Sequence, residues 1–249
     1  MNTLTLDIGN SRVKTVVWSE QGPLYETVTE DVSYNDLKSL VKQFEIDDAL
    51  ISSVRGDESG VVETIKSFPM KNVAGITGHG CRDFQKKSLY SNTLGGDRIA
   101  AYYGGETLMP RTSKLIVDAG TAITMDVVDK EGVFCGGNIV LGLHGRLNAL
   151  HFSTALLPEV EENEISLTSF GRDTKSAILD GAINGITGEI LYSLARAKKV
   201  YDTEKIIITG GDAETFLPLL KAQGVDVIFD PYLVTRGLDF QLRNLIGKN

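Results

Sequence analysis

The chain has 249 residues, of which 42% are hydrophobic and 23% charged, a balance that supports a packed core and excludes wholesale disorder. Its 25 Lys and Arg stand against 33 Asp and Glu, and the net charge of −8 lacks the electrostatic footprint of a general nucleic-acid binder. Glycine is in excess, 26 residues against 6 prolines, and the glycines cluster at 75–80, 95–96, 104–105, 136–137, 142–145, 181–188 and 210–211.

In chain order, Leu4–Trp18 reads as strand, turn, strand: Leu4, Leu6 and Ile8 alternate with Thr5 and Asp7, and Gly9-Asn10-Ser11 supplies the turn. Leu24–Thr29 extends the pattern. Ser33–Glu45 has helical spacing, with Leu37, Leu40, Val41 and Phe44 on one face. Asp48–Val54 reads as a buried strand, Gly60–Phe68 as a helix and Ile99–Tyr103 as the start of another. A second strand–turn–strand follows at 115–128, through Asp118-Ala119-Gly120-Thr121. Phe134–Leu141 is strand-like, Thr174–Lys199 a long helix, and Lys205–Thr209 an apolar strand ending in Gly210-Gly211-Asp212. Ala213–Ala222, Val225–Phe229 and Leu233–Ile246 close the chain as helix, strand and helix.

Asp118 and Gly120 stand 111 residues after Asp7 and Gly9, and Val127-Val128 stand 111 after Val16-Val17. A constant offset across strand, acid, glycine and strand suggests a duplicated unit. The expectation is two α/β halves, 1–110 and 111–249, packed with a cleft between them. The start of the chain carries no basic run, and no apolar run approaches the ~18 residues of a membrane span. Cys81 and Cys135 form no disulfide framework. A cytoplasmic chain with reduced thiols is expected.

Four turns carry candidate chemistry. In Asp7-Ile8-Gly9-Asn10-Ser11, glycine lets phosphate approach backbone N–H groups, and the carboxylate can hold Mg²⁺ directly or through water. Lys14 can reach a phosphate as a point charge. Asp118–Thr121 repeats the device; Asp126 beyond it reads as an exposed strand carboxylate. Gly210-Gly211 suits a nucleotide passing close to backbone. In Gly95-Gly96-Asp97-Arg98, Arg98 can hold a substrate carboxylate and Asp97 can accept a hydroxyl proton. Plainer readings stand beside each of these: an Asn/Gly hairpin, a packing turn, a local Asp–Arg pair at a helix start. The glycines along Thr174–Lys199 read as helix packing. His79, His144 and His151 have no metal-ligand spacing and read as structural or surface residues. No P-loop, dinucleotide fingerprint or serine-nucleophile motif occurs.

Together these blocks resemble the acetate kinase/sugar kinase/Hsp70/actin superfamily, and within it the type III pantothenate kinases. The matching stretches are DIGNSRVK at Asp7–Lys14, LGGDRIA at Leu94–Ala100, VDAGTAITMD at Val117–Asp126, Gly136–Leu157, Thr174–Glu189, ITGGDA at Ile208–Ala213 and DPYLVTRGL at Asp230–Leu238. The resemblance implies duplicated ribonuclease H-like (actin-like ATPase) α/β domains with mixed sheets and an interdomain cleft. It implies ATP-dependent phosphorylation of pantothenate, with Asp97 as general base. ATP would be held by Asp7, Gly9, Asn10, Ser11, Lys14, Thr121, Gly210 and Gly211. Pantothenate would be held by Tyr90, Gly95, Gly96, Asp97, Arg98 and Thr174. Mg²⁺ would sit at Asp7 through water, and a monovalent cation, K⁺ or NH₄⁺, at Asp118. The resemblance also implies a homodimer. The chain departs from the family before Gly95: Tyr90-Ser91-Asn92-Thr93-Leu94 lacks the usual proline and is shorter. Other readings are a superfamily kinase for a different hydroxy acid or sugar, or a nucleotide-binding regulator without turnover.

Overall fold

The computed structural model describes residues 1–55, 63–65, 67–68, 70–76, 82–161 and 170–247. The chain divides into two compact units, Met1–Pro110 with Tyr232–Asn249, and Arg111–Pro231. The expected helix over Gly60–Phe68 lies partly outside the described residues, and His79 and Cys81 lie wholly outside them.

The first unit is built on a mixed sheet of β1 (Asn2–Ile8), β2 (Val13–Ser19), β3 (Gly22–Thr29), β4 (Ile46–Ser53) and β5 (Asn72–Gly75), in the order β3-β2-β1-β4-β5. The hairpins β1–β2 and β2–β3 are antiparallel, while β4 and β5 join in parallel. Strict alternation sends Leu4, Leu6 and Ile8 to one face, where they pack with Val13, Val17, Ala49, Ile51, Leu37 and Leu40. Leu37 and Leu40 come from α1 (Tyr34–Phe44). That helix starts where it does because the Ser33 side chain accepts the Asp36 N–H, and it stops at Glu45, which turns left-handed at φ 50°. A cap of this kind is worth about 1 kcal/mol.

The other face is covered by α3 (Gly96–Leu108) and α7 (Leu233–Ile246), with α2 (Arg82–Gln85) preceding them. Bare backbone lets α3 and α7 meet closely. A Cβ at Gly237 would overlap the Ala100 carbonyl oxygen, and one at Gly104 would overlap that of Leu233. Asp239 of α7 accepts from Thr3 Oγ1, and Arg243 donates to the Ser19 carbonyl at 3.1 Å. These bonds fasten the end of the chain to its first strands. The closing helix, counted with 111–249 in the sequence, therefore belongs to the first unit. The sequence pattern marks α7 as amphipathic but carries no sign of which sheet its apolar face covers.

The second unit repeats the plan with β6 (Lys114–Ala119), β7 (Ala122–Val128), β8 (Phe134–Leu141), β9 (Lys205–Thr209) and β10 (Asp226–Phe229). The order is β10-β9-β6-β7-β8, with the same antiparallel and parallel pairings. Its core joins Leu115, Val117, Ile123, Met125, Ile206 and Ile208 to helices α4 (Leu143–Ser153), α5 (Thr174–Tyr201) and α6 (Ala213–Ala222). The 28-residue α5 begins at a capping box between Asp173 and Ser176 and ends at left-handed Asp202.

Three sequence expectations are corrected here. Val16 faces Thr5 while Asp126 faces Ile116, so the offset between units slips from 111 to 110 on the second strand; the turn after β6 is one residue shorter. Asp126 is 1% exposed, not a surface carboxylate. A Cβ at Gly181 or Gly188 would meet nothing within 4 Å, so these glycines do not serve close packing inside their unit. Strand β5 and helix α4 have no forecast in the sequence. The first is only four residues long, and the second carries apolar residues on all sides with glycines at 142 and 145.

Candidate active site

In the first unit the predicted residues Asp7, Gly9, Asn10, Ser11 and Lys14 lie at the C-terminal end of β1, in the turn after it and at the start of β2. Asp7 is the penultimate residue of β1, half-buried, with Lys14 of β2 as its antiparallel partner and Ser52 of β4 as its parallel partner. Register partners share a face. Asp7, Lys14 and Ser52 therefore point to the side that α3 and α7 cover. The Lys14 ammonium lies 4.8 Å from the centroid of the Tyr232 ring, which opens α7. Tyr232 in turn meets Trp18 edge-on at 6.0 Å. The Gly9 N–H donates to the Arg12 carbonyl at 2.9 Å and closes the turn, leaving Asn10 and Ser11 exposed.

Sequence reasoning missed Arg55. It stands beyond the end of β4, where Val54 N–H donates to the Ile8 carbonyl at 3.0 Å. Its guanidinium donates through Nε to the Gly9 carbonyl and through a terminal nitrogen to the Glu30 carbonyl, both at 2.8 Å. One side chain thus ties the candidate phosphate turn to two neighbouring strand ends. No local motif signals it, because the tie spans 46 residues to Gly9.

Asp97 sits in the first turn of α3, half-buried, after Gly95 as N-cap. Its Oδ1 accepts the Arg98 N–H at 2.8 Å. The two glycines before it have separate reasons. A Cβ at Gly96 would overlap the Ile76 carbonyl oxygen, and one at Gly95 would strike the Asp97 carboxylate itself. Any side chain at Gly95 must therefore move that carboxylate. Arg98 is 5% exposed, and its guanidinium stacks over the Tyr90 ring at 5.1 Å. Tyr90, in the stretch that departs from the family, is thus held beside Arg98 despite the missing proline.

In the second unit, Asp118 on β6 is half-buried between Thr124 of β7 and Thr209 of β9. The turns around it are set by contact between backbones. Gly210 has φ +97°, and a Cβ there would overlap the Ala119 carbonyl; Asp212 N–H donates to that same oxygen at 2.9 Å. Gly142, at the start of α4, would overlap the Gly120 carbonyl, and its N–H donates to Thr121 at 3.0 Å. Gly211 differs: a Cβ there would meet nothing within 4 Å, so the fold does not require its bareness. Thr121 is exposed at the turn.

Thr174 is also in this unit. It begins α5 beside Asp173, whose carboxyl is held below the usual carboxylate range by the Ser176 N–H and hydroxyl. Thr174 lines a groove of about 800 Å³ with Leu141, Leu150, Ile178 and Gly181. His144 meets the Asn148 amide at 2.9 Å, and His151 Nδ1 meets the Leu157 carbonyl at 2.9 Å, as structural histidines do.

Among the described residues no three His, Cys, Asp or Glu side chains gather to hold a metal by themselves. A single carboxylate at a strand end is what Mg²⁺ takes beside substrate phosphates, since the ion keeps several waters. Asp7 is a carboxylate of that kind. Asp118 with Thr124 and Thr209 places oxygen-bearing side chains from adjacent strands on one face, which suits a monovalent cation.

Two α/β units of one sheet topology, each with an acid and glycine at the end of its first strand, define the actin-like ATPase and sugar-kinase class of fold. Solved structures share it. A Campylobacter jejuni protein assigned as a Baf family transcriptional activator is 21% identical at TM-score 0.65, covering 98% of this chain and 99% of its own. A Sinorhizobium meliloti protein assigned as a 2-dehydro-3-deoxygalactonokinase is 14% identical at TM-score 0.61, with the same coverage.

The particular family follows from sequence. The family model for type III pantothenate kinase matches residues 3–196. A type III pantothenate kinase of Porphyromonas gingivalis is 32% identical over 238 residues, 95% of this chain and 96% of its own. One of Bacteroides fragilis is 33% identical over 239 residues, 95% of each chain. The chain belongs to the type III pantothenate kinase family, and it is a kinase. No helix among the described residues is long and apolar enough to cross a membrane.

Proposed function

We propose that this chain transfers the γ-phosphoryl group of ATP to the primary hydroxyl of pantothenate, giving 4′-phosphopantothenate and ADP, the first step of coenzyme A biosynthesis. The observation that carries the reading is the start of α3. Gly95 leaves room for the Asp97 carboxylate, and buried Arg98 stands beside it with Tyr90 stacked on its guanidinium. Asp97 accepts the hydroxyl proton as the O–P bond forms and the bond from the γ-phosphorus to the bridging oxygen breaks. Arg98 and Tyr90 hold the acid end of pantothenate, together with Gly95, Gly96 and Thr174. Asp7, Gly9, Asn10, Ser11 and Lys14 hold phosphates in this reading, and Thr121, Gly210 and Gly211 contact the nucleotide. Mg²⁺ at Asp7 and K⁺ or NH₄⁺ at Asp118 supply positive charge that offsets the phosphates when bound.

The working form in this reading is a cytoplasmic homodimer. The groove that Thr174 lines supports it, as do the exposed Ile139, Leu141 and Phe152 and the side-chain-free strip at Gly181 and Gly188. The test is ADP release with ATP, Mg²⁺ and K⁺, with and without pantothenate. Release that depends on pantothenate is expected. Release stimulated instead by a sugar or another hydroxy acid, or by no acceptor, would overturn the substrate assignment.

A further inference from the structure

Among the described residues, three buried side-chain polar atoms have no hydrogen-bond partner: Thr15 Oγ1, Asp48 Oδ2 and Ser52 Oγ. A buried hydroxyl without a partner is costly, and native structures keep few of them. The usual resolution is a water or an ion. Asp48 is half satisfied, since its other oxygen accepts from the Asn72 amide at 2.6 Å. Thr15 stands opposite Leu6 and faces the apolar core of the first unit. Ser52 is different. It is fully buried, yet its parallel partner is Asp7, and its hydroxyl lies on the face that carries Asp7 and Lys14.

The duplication supplies an independent observation. Thr209 occupies beside Asp118 the register position that Ser52 occupies beside Asp7. Both are hydroxyl residues and both are buried. Two small hydroxyls therefore flank the two corresponding carboxylates, each directly after a buried apolar run, Ala49–Ile51 in β4 and Ile206–Ile208 in β9.

We propose that Ser52 is a positioning residue for the first-unit phosphate site. Its hydroxyl oxygen accepts a hydrogen bond from a water of the hydrated divalent cation that accompanies ATP at Asp7. This rests on the reading of Asp7–Lys14 as a phosphate site, and not on pantothenate as the acceptor. Serine fits the position because it supplies an acceptor oxygen in the space of a small core residue and adds no second charge next to Asp7.

The experiment is ATP binding by calorimetry, without acceptor, in Mg²⁺ and in EDTA. Wild-type protein should bind ATP more tightly in Mg²⁺. Ser52→Ala should weaken binding about tenfold in Mg²⁺, with no change in EDTA. Its melting temperature without ligand should stay level or rise, because an unsatisfied hydroxyl is removed. Ser52→Thr should recover most of the Mg²⁺-dependent affinity. Thr15→Val, which removes a comparable hydroxyl facing the core, should change neither arm.

Ser52→Ala binding like wild type in both arms would overturn the proposal. So would an equal loss in both arms, which would mark a packing role. If Ser52→Ala does not fold, Ser52→Thr with wild-type stability and no Mg²⁺ advantage would overturn it as well. A wild-type protein whose ATP affinity ignores Mg²⁺ would instead strike at the phosphate site itself, and so separate the two failures.

Discussion

In the first unit, Asp7 has a lysine on one side and a serine on the other; in the second, Asp118 has two threonines. The scaffolds under them match strand for strand, down to the Val54 N–H bonded to Ile8 in one and the Asp212 N–H bonded to Ala119 in the other. Beside the carboxylates themselves, the two units differ in the side chains on the neighbouring strands. A carboxylate opposite an ammonium is a place where an anion and its metal can share charge. A carboxylate among neutral hydroxyls offers only oxygen and suits a cation. Duplication supplies the backbone twice, and substitution at two flanking positions gives the copies different chemistry around the carboxylate.

The largest effect should come from what the second unit has no copy of, the acid at the start of α3. Asp97→Asn should lower kcat by about 10²–10⁴-fold, the range of a lost general base. ATP affinity by calorimetry should not change, because Asp97 lies outside the turns proposed to hold phosphates. Wild-type turnover by this variant would remove the base assignment.

Next in size are the glycines that hold backbones together. Gly237→Ala forces α7 away from Ala100 and should cost about 1–3 kcal/mol as overpacking, read as a lower melting temperature. Gly210→Ala should cost a similar amount, since it adds strain at φ +97° to an overlap with Ala119. Its neighbour sharpens the contrast. Gly211→Ala should leave the melting temperature near wild type and weaken nucleotide binding. If the two variants melt alike, the separation between a structural and a ligand-facing glycine fails.

Smaller and more selective is the pair Asp7→Asn and Asp118→Asn. The first should raise the Mg²⁺ concentration needed for half-maximal rate by about tenfold and leave the K⁺ requirement alone. The second should abolish K⁺ activation and leave the Mg²⁺ requirement alone. Titrating each ion against each variant checks this, and a mixed response in both would mean that the carboxylates are not specialised.

Much of this was legible in the chain itself. Alternation in Leu4–Ile8, the spacing of Leu37 and Leu40 and the apolar run Ile206–Ile208 announce their strands and helix, because burial on one face imposes a period. The repeated acid and glycine announce the duplication. What could not be read are properties that only pairing defines. The register slip after β6 depends on turn length, the burial of Asp126 on what covers its face, and the place of α7 on two glycines meeting carbonyls far away in sequence. Ser52 reads as one more residue of a buried strand until its partner is known to be Asp7.

The smallest expected effect concerns how each unit holds its glycine turn. The second unit does it with backbone, pressing Gly210 against Ala119. The first adds a side chain to its backbone closure, since Arg55 grips the Gly9 and Glu30 carbonyls from an exposed position. An exposed clamp of two hydrogen bonds contributes about 1 kcal/mol to the geometry it holds, and water competes for both carbonyls. Arg55→Ala should therefore weaken ATP binding about threefold to tenfold, with little change in melting temperature. Arg55→Lys should recover only part of the affinity, because one ammonium on a flexible stem cannot reproduce the planar fork. A lower melting temperature with unchanged ATP affinity would show that the clamp serves the fold and not the turn, and the contrast between a backbone-held and a side-chain-clamped loop would lose its functional meaning.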